Sequence, residues 1–278
     1  MSLFFKSSQG DFILHEGDCR SVMRNGSLGQ FDMVFADPPY FLSNGGFSVH
    51  AGKCVSVDKG AWDKSSGFHE DAEFTYSWLR ACRDLMSEKA TIWVCGTFHN
   101  IFTVANALSE LNFRILNSIV WQKTNPPPNI SCRMFTHSTE FIVWARKSKK
   151  VPHYYNYDLM RKIAGNRQMT DVWRLPAIGR WEKMCGKHPA QKPLSLVVRA
   201  ILSSTIKGDR ILDPFSGSST TGIAANMLNR AFVGIEQSKE FLNISKDRYK
   251  SLLDNRDVWW QKIPDMKVVG TGSCFTRA

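Results

Sequence analysis

Residues 210–236, RILDPFSGSSTTGIAANMLNRAFVGIE, decide how this chain folds. Arg210 to Phe215 is a short apolar run closed by an acid, a proline and an aromatic. Ser219 to Leu228 has helical composition, and Ala231 to Ile235 is apolar again. Strand, small-residue turn, helix and strand in this order make a βαβ unit, whose strands run parallel. The turn, Asp213-Pro-Phe-Ser-Gly-Ser-Ser-Thr-Thr221-Gly222, lets backbone approach a ligand closely, and the helix amino terminus behind it favours a carboxylate. It is neither GxGxxG nor a phosphate loop, because GK[ST] is missing. About 20 residues on, the second strand ends in Glu236, an acid placed to accept from both hydroxyls of a ribose. A nucleoside bearing an amino acid fits these groups better than a dinucleotide. A plain βαβ turn with an acid at a strand end stays open as the alternative.

The same rhythm continues outward. Helices are expected over Pro193 to Ile206 and Lys239 to Leu253 on either side of the unit. Residues 10–123 alternate strands (Phe12 to His15, Phe31 to Ala36, Thr91 to Cys95, Ile115 to Trp121) with helices (Asp71 to Met86, Asn100 to Leu111). Phe74, Trp78, Cys82 and Leu85 recur at helical spacing and mark a core face. Strands alternating with helices of this length predict an α/β fold with a doubly wound, mainly parallel sheet. The rhythm lapses in one region, which opens with Asn125-Pro-Pro-Pro-Asn129 and reads as basic, aromatic and poorly periodic. The expected organisation is therefore 1–123 as a first catalytic half, 124–187 as an inserted recognition region, 188–254 as the cofactor-binding half, and 255–278 as a tail of little pattern.

The chain has 278 residues, 43% of them hydrophobic and 22% charged, the composition of an ordinary globular protein. No apolar run approaches the roughly 20 residues that span a bilayer, and the first residues lack a signal-peptide core, so a cytoplasmic protein is expected, with no membrane partner. Seven cysteines are scattered without a CxxC pair and read as reduced thiols. His99, His137 and His188 have no ligand spacing, so no metal site is expected. The net charge is +11, and between Lys123 and Lys192 fourteen Lys and Arg stand against four acids. Interleaved with Trp144, Tyr154, Tyr155, Tyr157, Trp173 and Trp181, this excess predicts a nucleic-acid face. Lys123, Asn125, Arg133, Lys149, Lys150, Arg161 and Lys162 are its candidate contacts.

A second constellation carries the chemistry. The buried run Phe31-Asp-Met-Val-Phe-Ala36 breaks off at Asp37-Pro38-Pro39-Tyr40, and ligands of open α/β sheets bind at carboxyl ends of strands. The two prolines remove donors, leaving the Asp37 carboxylate and the Pro38 carbonyl as converging acceptors. That pair suits an amino group with two N–H donors. An exocyclic amine on a base is a poor nucleophile, because its lone pair is delocalised into the ring. Accepting hydrogen bonds from both N–H groups favours a tetrahedral nitrogen and gives the departing proton somewhere to go. Tyr40 offers a face on which a base flipped out of a duplex can stack. A strand-terminating turn with a solvated Asp remains the alternative for this tetrapeptide alone. No Pro-Cys dipeptide supplies a thiolate for C5 methylation. Gly45, Gly46 and Gly52 fall in a polar loop after the turn, and Trp62 and Asp63 read equally as loop packing or a DNA contact.

Together these residues resemble the β-class amino-methyltransferases of restriction-modification systems. That group carries DPPY ahead of its recognition region and DPFxGSGTT after it, and this chain has Asp37-Pro-Pro-Tyr40 first and Asp213-Pro-Phe-Ser-Gly-Ser-Ser-Thr-Thr221 last. It departs at Ser219, where the group has Gly, which tightens the turn. Gly17-Asp18 resembles the group's acid near the cofactor adenine. Trp121 to Asn129 resembles its lead into recognition, and His188-Pro-Ala-Gln-Lys192-Pro193 its entry to the cofactor half. DPPYFLSNGG, HSTEFIVWARK and HYYNYDLM resemble the second adenine methyltransferases of Dpn-type systems, whose target is GATC. The resemblance implies S-adenosylmethionine as cofactor, held by Asp18, Asp37, Lys192, Asp213, Phe215, Ser216, Gly217, Ser218, Thr220 and Glu236. It implies catalysis by Asp37, Pro38, Pro39 and Tyr40 on adenine N6 of duplex DNA, with single-stranded DNA and a homodimer left open. Cytosine N4 is the rival target, since DPPY cannot exclude it. A DNA-binding module without chemistry would explain the charge but not Asp37, Tyr40, Asp213 and Glu236 together.

Overall fold

The computed structural model describes residues 2–43, 47–50, 53–56, 60, 63–129, 132–186 and 188–269. The first half runs β1 (Ser2–Lys6), β2 (Phe12–Glu16), α1 (Cys19–Asn25), β3 (Phe31–Ala36), β4 (Phe47–His50), β5 (Lys53–Ser56), α2 (Phe68–Leu85), β6 (Met86–Gly96), α3 (Ile101–Glu110) and β7 (Arg114–Lys123). The second runs β8 (Thr139–Arg146), α4 (Tyr157–Ile163), β9 (Val172–Leu175), α5 (Leu194–Ser204), β10 (Arg210–Asp213), α6 (Thr220–Met227), β11 (Ala231–Glu236), α7 (Lys239–Asp254), α8 (Arg256–Gln261) and α9 (Met266–Val269). Among the described residues, nine strands form one sheet in the order β1-β2-β11-β10-β3-β6-β8-β7-β9, and β4 pairs only with β5.

The central strands β2, β11, β10, β3 and β6 are parallel, as the alternating pattern predicts. They are buried on both faces. Met33 and Phe35 of β3 face the side covered by α4 to α9, whereas Val34 and Ala36 face α1, α2 and α3. From β10 the chain crosses through α6 to β11, and from β3 it crosses through α2 to β6 on the other side. The carboxyl ends of β10 and β3 thus flank a switch point, where open α/β sheets bind ligands.

Two stretches differ from the sequence reading. Residues 124–187 are not a separate insertion, because β8 sits inside the sheet, antiparallel to both β6 and β7, and β9 forms its far edge. Ile142 and Trp144 of β8 enter one core and Val143 and Ala145 the other, a period-2 pattern that the surrounding charge obscures. The tail beyond Asp254 is not patternless, since Trp259, Trp260, Ile263 and Met266 are buried in the same core as α4 to α7. Gly45, Gly46, Gly52 and Trp62 lie outside the described residues. Among those described, no helix is long and apolar enough to cross a membrane, and no group of His, Cys, Asp and Glu is placed to hold a metal.

Candidate active site and cofactor pocket

A cavity of about 560 Å³ opens at the switch point, within the usual range of small-molecule sites. Asp37 to Tyr40 form one wall and Asp213 to Ser218 another, with Lys192, Thr220 and Glu236 also lining it. Thus the two motifs, far apart in sequence, share one space.

In the cofactor half, Asp213 ends β10 with its carboxylate fully buried. It accepts from the Thr221 hydroxyl at 2.6 Å and from the Phe215 N–H at 3.0 Å. Burial pushes it up to about 7, although both hydrogen bonds oppose the rise. Glu236 accepts from the N–H groups of Gly217 at 2.9 Å and of Gln237 and Ser238 at 2.8 Å each. Those bonds pull against a burial that raises its pKa, and they fix the carboxylate at the pocket wall. Gly217 has φ +49, and a Cβ there would meet the His188 ring at 2.9 Å. Ser219, standing where the resembled group has Gly, is likewise left-handed at φ +56 and fully buried. Asp18 does not line the cavity. Gly17 and Cys19 do, while the Asp18 carboxylate caps α1 by accepting from Ser21 N–H at 3.1 Å and pairs with Arg20 at 3.2 Å. Burial disfavours its charge, but Arg20 and that N–H hold its carboxyl below the usual range.

In the other half, the Tyr40 hydroxyl donates to Asp37 Oδ1 and Lys192 Nζ to Asp37 Oδ2, each at 2.7 Å. Lys192, assigned to the cofactor by resemblance, therefore holds Asp37, and its ammonium also lies over the Tyr40 ring. Burial alone would lower the Lys192 pKa, yet Asp37 and Glu140 hold it above the ordinary lysine value. Asp63, fully buried, accepts from the N–H groups of Tyr40 at 2.7 Å and Phe41 at 3.0 Å and from the Ser43 hydroxyl at 2.9 Å. It is packing, and it shapes the turn.

A sequence profile described as DNA methylase matches residues 31–247. Type II methyltransferase M2.MboI of Moraxella bovis is 53% identical, over 90% of this chain and 91% of its own length. Type II methyltransferase M2.DpnII of Streptococcus pneumoniae is 55% identical, over 88% and 91%. The chain belongs to the DNA methylase family. Among solved structures, the M1.HpyAVI–SAM complex superposes on the methylase with a TM-score of 0.66 at 26% identity, covering 86% of this chain and 98% of that one. The PvuII DNA methyltransferase, cytosine-N4-specific, shares the fold with a TM-score of 0.68 at 18% identity, covering 95% and 91%.

The basic candidates of the methylase do not gather on one face. Lys123 is committed to Glu140 at 2.6 Å, and Asn125 accepts from the Ala177 N–H at 3.0 Å; both are at the carboxyl edge, where the cavity opens. Arg133 is exposed in the loop joining β7 to β8 at that edge. Because β8 runs antiparallel to β6, it delivers Lys149 and Lys150 to the opposite edge, where Lys149 bonds Asn112 at the turn before β7. These two lysines are therefore corrected out of any DNA face that includes the cavity. Arg161 and Lys162 end α4, which packs on the sheet's helical layer through Met160, and Arg161 bonds the Asn166 carbonyl. Arg174 of β9 and Arg180, exposed on the carboxyl side, were not singled out by sequence. Glu140 was not singled out either, and Asp63 was left between loop packing and a DNA contact, as their partners are long-range and leave no local signal.

Proposed function

We propose that this methylase transfers the methyl group of S-adenosylmethionine to the N6 amino group of adenine in duplex GATC sites, in the cytoplasm, as the modification component of a restriction-modification system. One observation supports it most: Asp37 stands on the same cavity as Asp213, Ser216 and Glu236, so an amino acceptor and a nucleoside pocket face each other. The residues fit the cofactor. Ser216 Oγ is buried with no hydrogen-bond partner among the described residues, and Glu236 Oε atoms edge the same space, leaving acceptor capacity for a ribose. Asp213, Ser216, Gly217, Ser218, Thr220 and Glu236 would hold it, and when bound it supplies an electrophilic sulfonium methyl.

The chain's own residues do the rest. Asp37 and the Pro38 carbonyl accept the two N–H bonds of the amine, localising its lone pair. Tyr40 and Lys192 fix the Asp37 carboxylate, so little reorganisation accompanies the reaction. Tyr40 also presents its ring to a flipped base. The target sequence rests on the likeness of DPPYFLSNGG, HSTEFIVWARK and HYYNYDLM to GATC-specific adenine enzymes. Genomic DNA from an expressing host should resist a restriction enzyme blocked by adenine methylation in GATC and be cut by one that requires it. The reverse pattern contradicts the target.

A further inference from the structure

Four charged side chains from four chain segments meet at the rim of the cavity. Lys192 Nζ lies 2.7 Å from Asp37 Oδ2 and 3.5 Å from Glu140 Oε2. The other oxygen of Glu140 lies 2.6 Å from Lys123 Nζ. All four are largely withdrawn from water, with side-chain exposures between 8% and 19%. An ammonium so placed is costly unless a negative charge adjoins it. One carboxylate would meet that need, yet two are supplied, and one of them lies outside the Asp37 to Tyr40 motif.

The second carboxylate has a use once Asp37 does chemistry. As the nitrogen–carbon bond forms and the carbon–sulfur bond breaks, with the electron pair kept by sulfur, Asp37 takes the proton that the nitrogen sheds. Its charge is then gone, and Lys192 faces a neutral acid. We infer that Glu140 is a positioning residue that receives the Lys192 ammonium when Asp37 becomes protonated, so that the base can accept a proton without leaving a buried cation unpaired. Lys123 anchors Glu140 by its other oxygen and keeps it from turning away. Lys192 loses no proton and moves only between neighbouring carboxylates. The inference rests on Asp37 being the proton acceptor of the proposed reaction.

Two measurements test it. In the cofactor-free protein, Asp37→Asn mimics the protonated acid, and its melting temperature is compared with Glu140→Gln and the double variant. The double variant should lose more than the sum of the single losses, because only there does Lys192 have no carboxylate; simple additivity overturns the inference. In a single turnover, Glu140→Gln should slow methyl transfer by about ten- to a hundredfold, the loss of one hydrogen bond to a charged group, with cofactor and DNA affinities unchanged. A wild-type rate overturns it. Lys123→Met combined with Glu140→Gln should remain slow, and recovery would show that Glu140 serves Lys123 alone. If the wild-type protein methylates no adenine, the proposed function fails, whereas the melting comparison still reads the shared ammonium.

Discussion

The carboxylate of Asp63 holds the backbone of the Asp37 to Tyr40 turn, and nothing near it in sequence announces the role. It binds Tyr40 and Phe41 from more than twenty positions away, and Phe41 sits in the left-handed region at φ +58, a conformation that needs such external support. Asp63→Ala strands two N–H groups and a hydroxyl, so it should cost about 2–4 kcal/mol in chemical denaturation and reduce turnover more than cofactor affinity. Unchanged stability would show the turn to be self-supporting. At Asp213 the expectation concerns pH. Its folded pKa of about 7 lies above the unfolded value, so the native state holds a proton that the unfolded chain has lost. Its contribution to stability is therefore full below about pH 4 and declines until about pH 7. A cationic cofactor held in this cavity would favour the carboxylate, so affinity for S-adenosylmethionine should rise with pH from about 5.5 to 7.5, and Asp213→Asn should flatten that rise. Calorimetry at several pH values decides it, and an affinity in the wild type that does not vary contradicts it.

At the scale of elements, the β10-α6-β11 unit was legible because its apolar runs, its small turn and its terminal acid are all local. The conformation of Ser219 was not, although its departure from the group's Gly marked it. A serine in the left-handed region carries strain of about 1 kcal/mol, and its hydroxyl is buried without a partner among the described residues. Ser219→Gly should therefore raise stability by about 1 kcal/mol, read as a rise in melting temperature; a fall would mean that the hydroxyl is engaged. β8 was hidden for another reason. Phe141 to Ala145 is a plain buried-strand run, but a charge count over residues 123–192 averages it with exposed basic loops on both sides. Helices α8 and α9 escaped because their core partners are long-range, α7 for α8, α4 for α9 and Trp181 for Trp259, which no local period reveals.

Across the whole molecule, net charge indicated a polyanionic partner without saying which edge meets it. Antiparallel β8 divides the basic residues, taking Lys149 and Lys150 to one end of the sheet and leaving Arg133, Arg174 and Arg180 at the cavity end. Each phosphate contact adds about −0.9 to the slope of log affinity against log salt. Replacing Arg133 and Arg180 by Ala should thus flatten the slope by up to about 1.8 if both meet phosphates, while Lys149→Ala with Lys150→Ala leaves it unchanged. The opposite result places DNA across the amino-terminal edge.

The central claim, that Asp37 serves adenine N6 from the shared cavity, is tested most directly by digesting a methylated GATC duplex to nucleosides and separating them by mass spectrometry, for the wild type and Asp37→Ala. The expected result is N6-methyl-2′-deoxyadenosine as the sole methylated nucleoside from the wild type. None is expected from the variant, whose affinity for S-adenosylmethionine stays within a few-fold. N4-methyl-2′-deoxycytidine from the wild type, or N6-methyl-2′-deoxyadenosine from Asp37→Ala at a comparable rate, would contradict the claim.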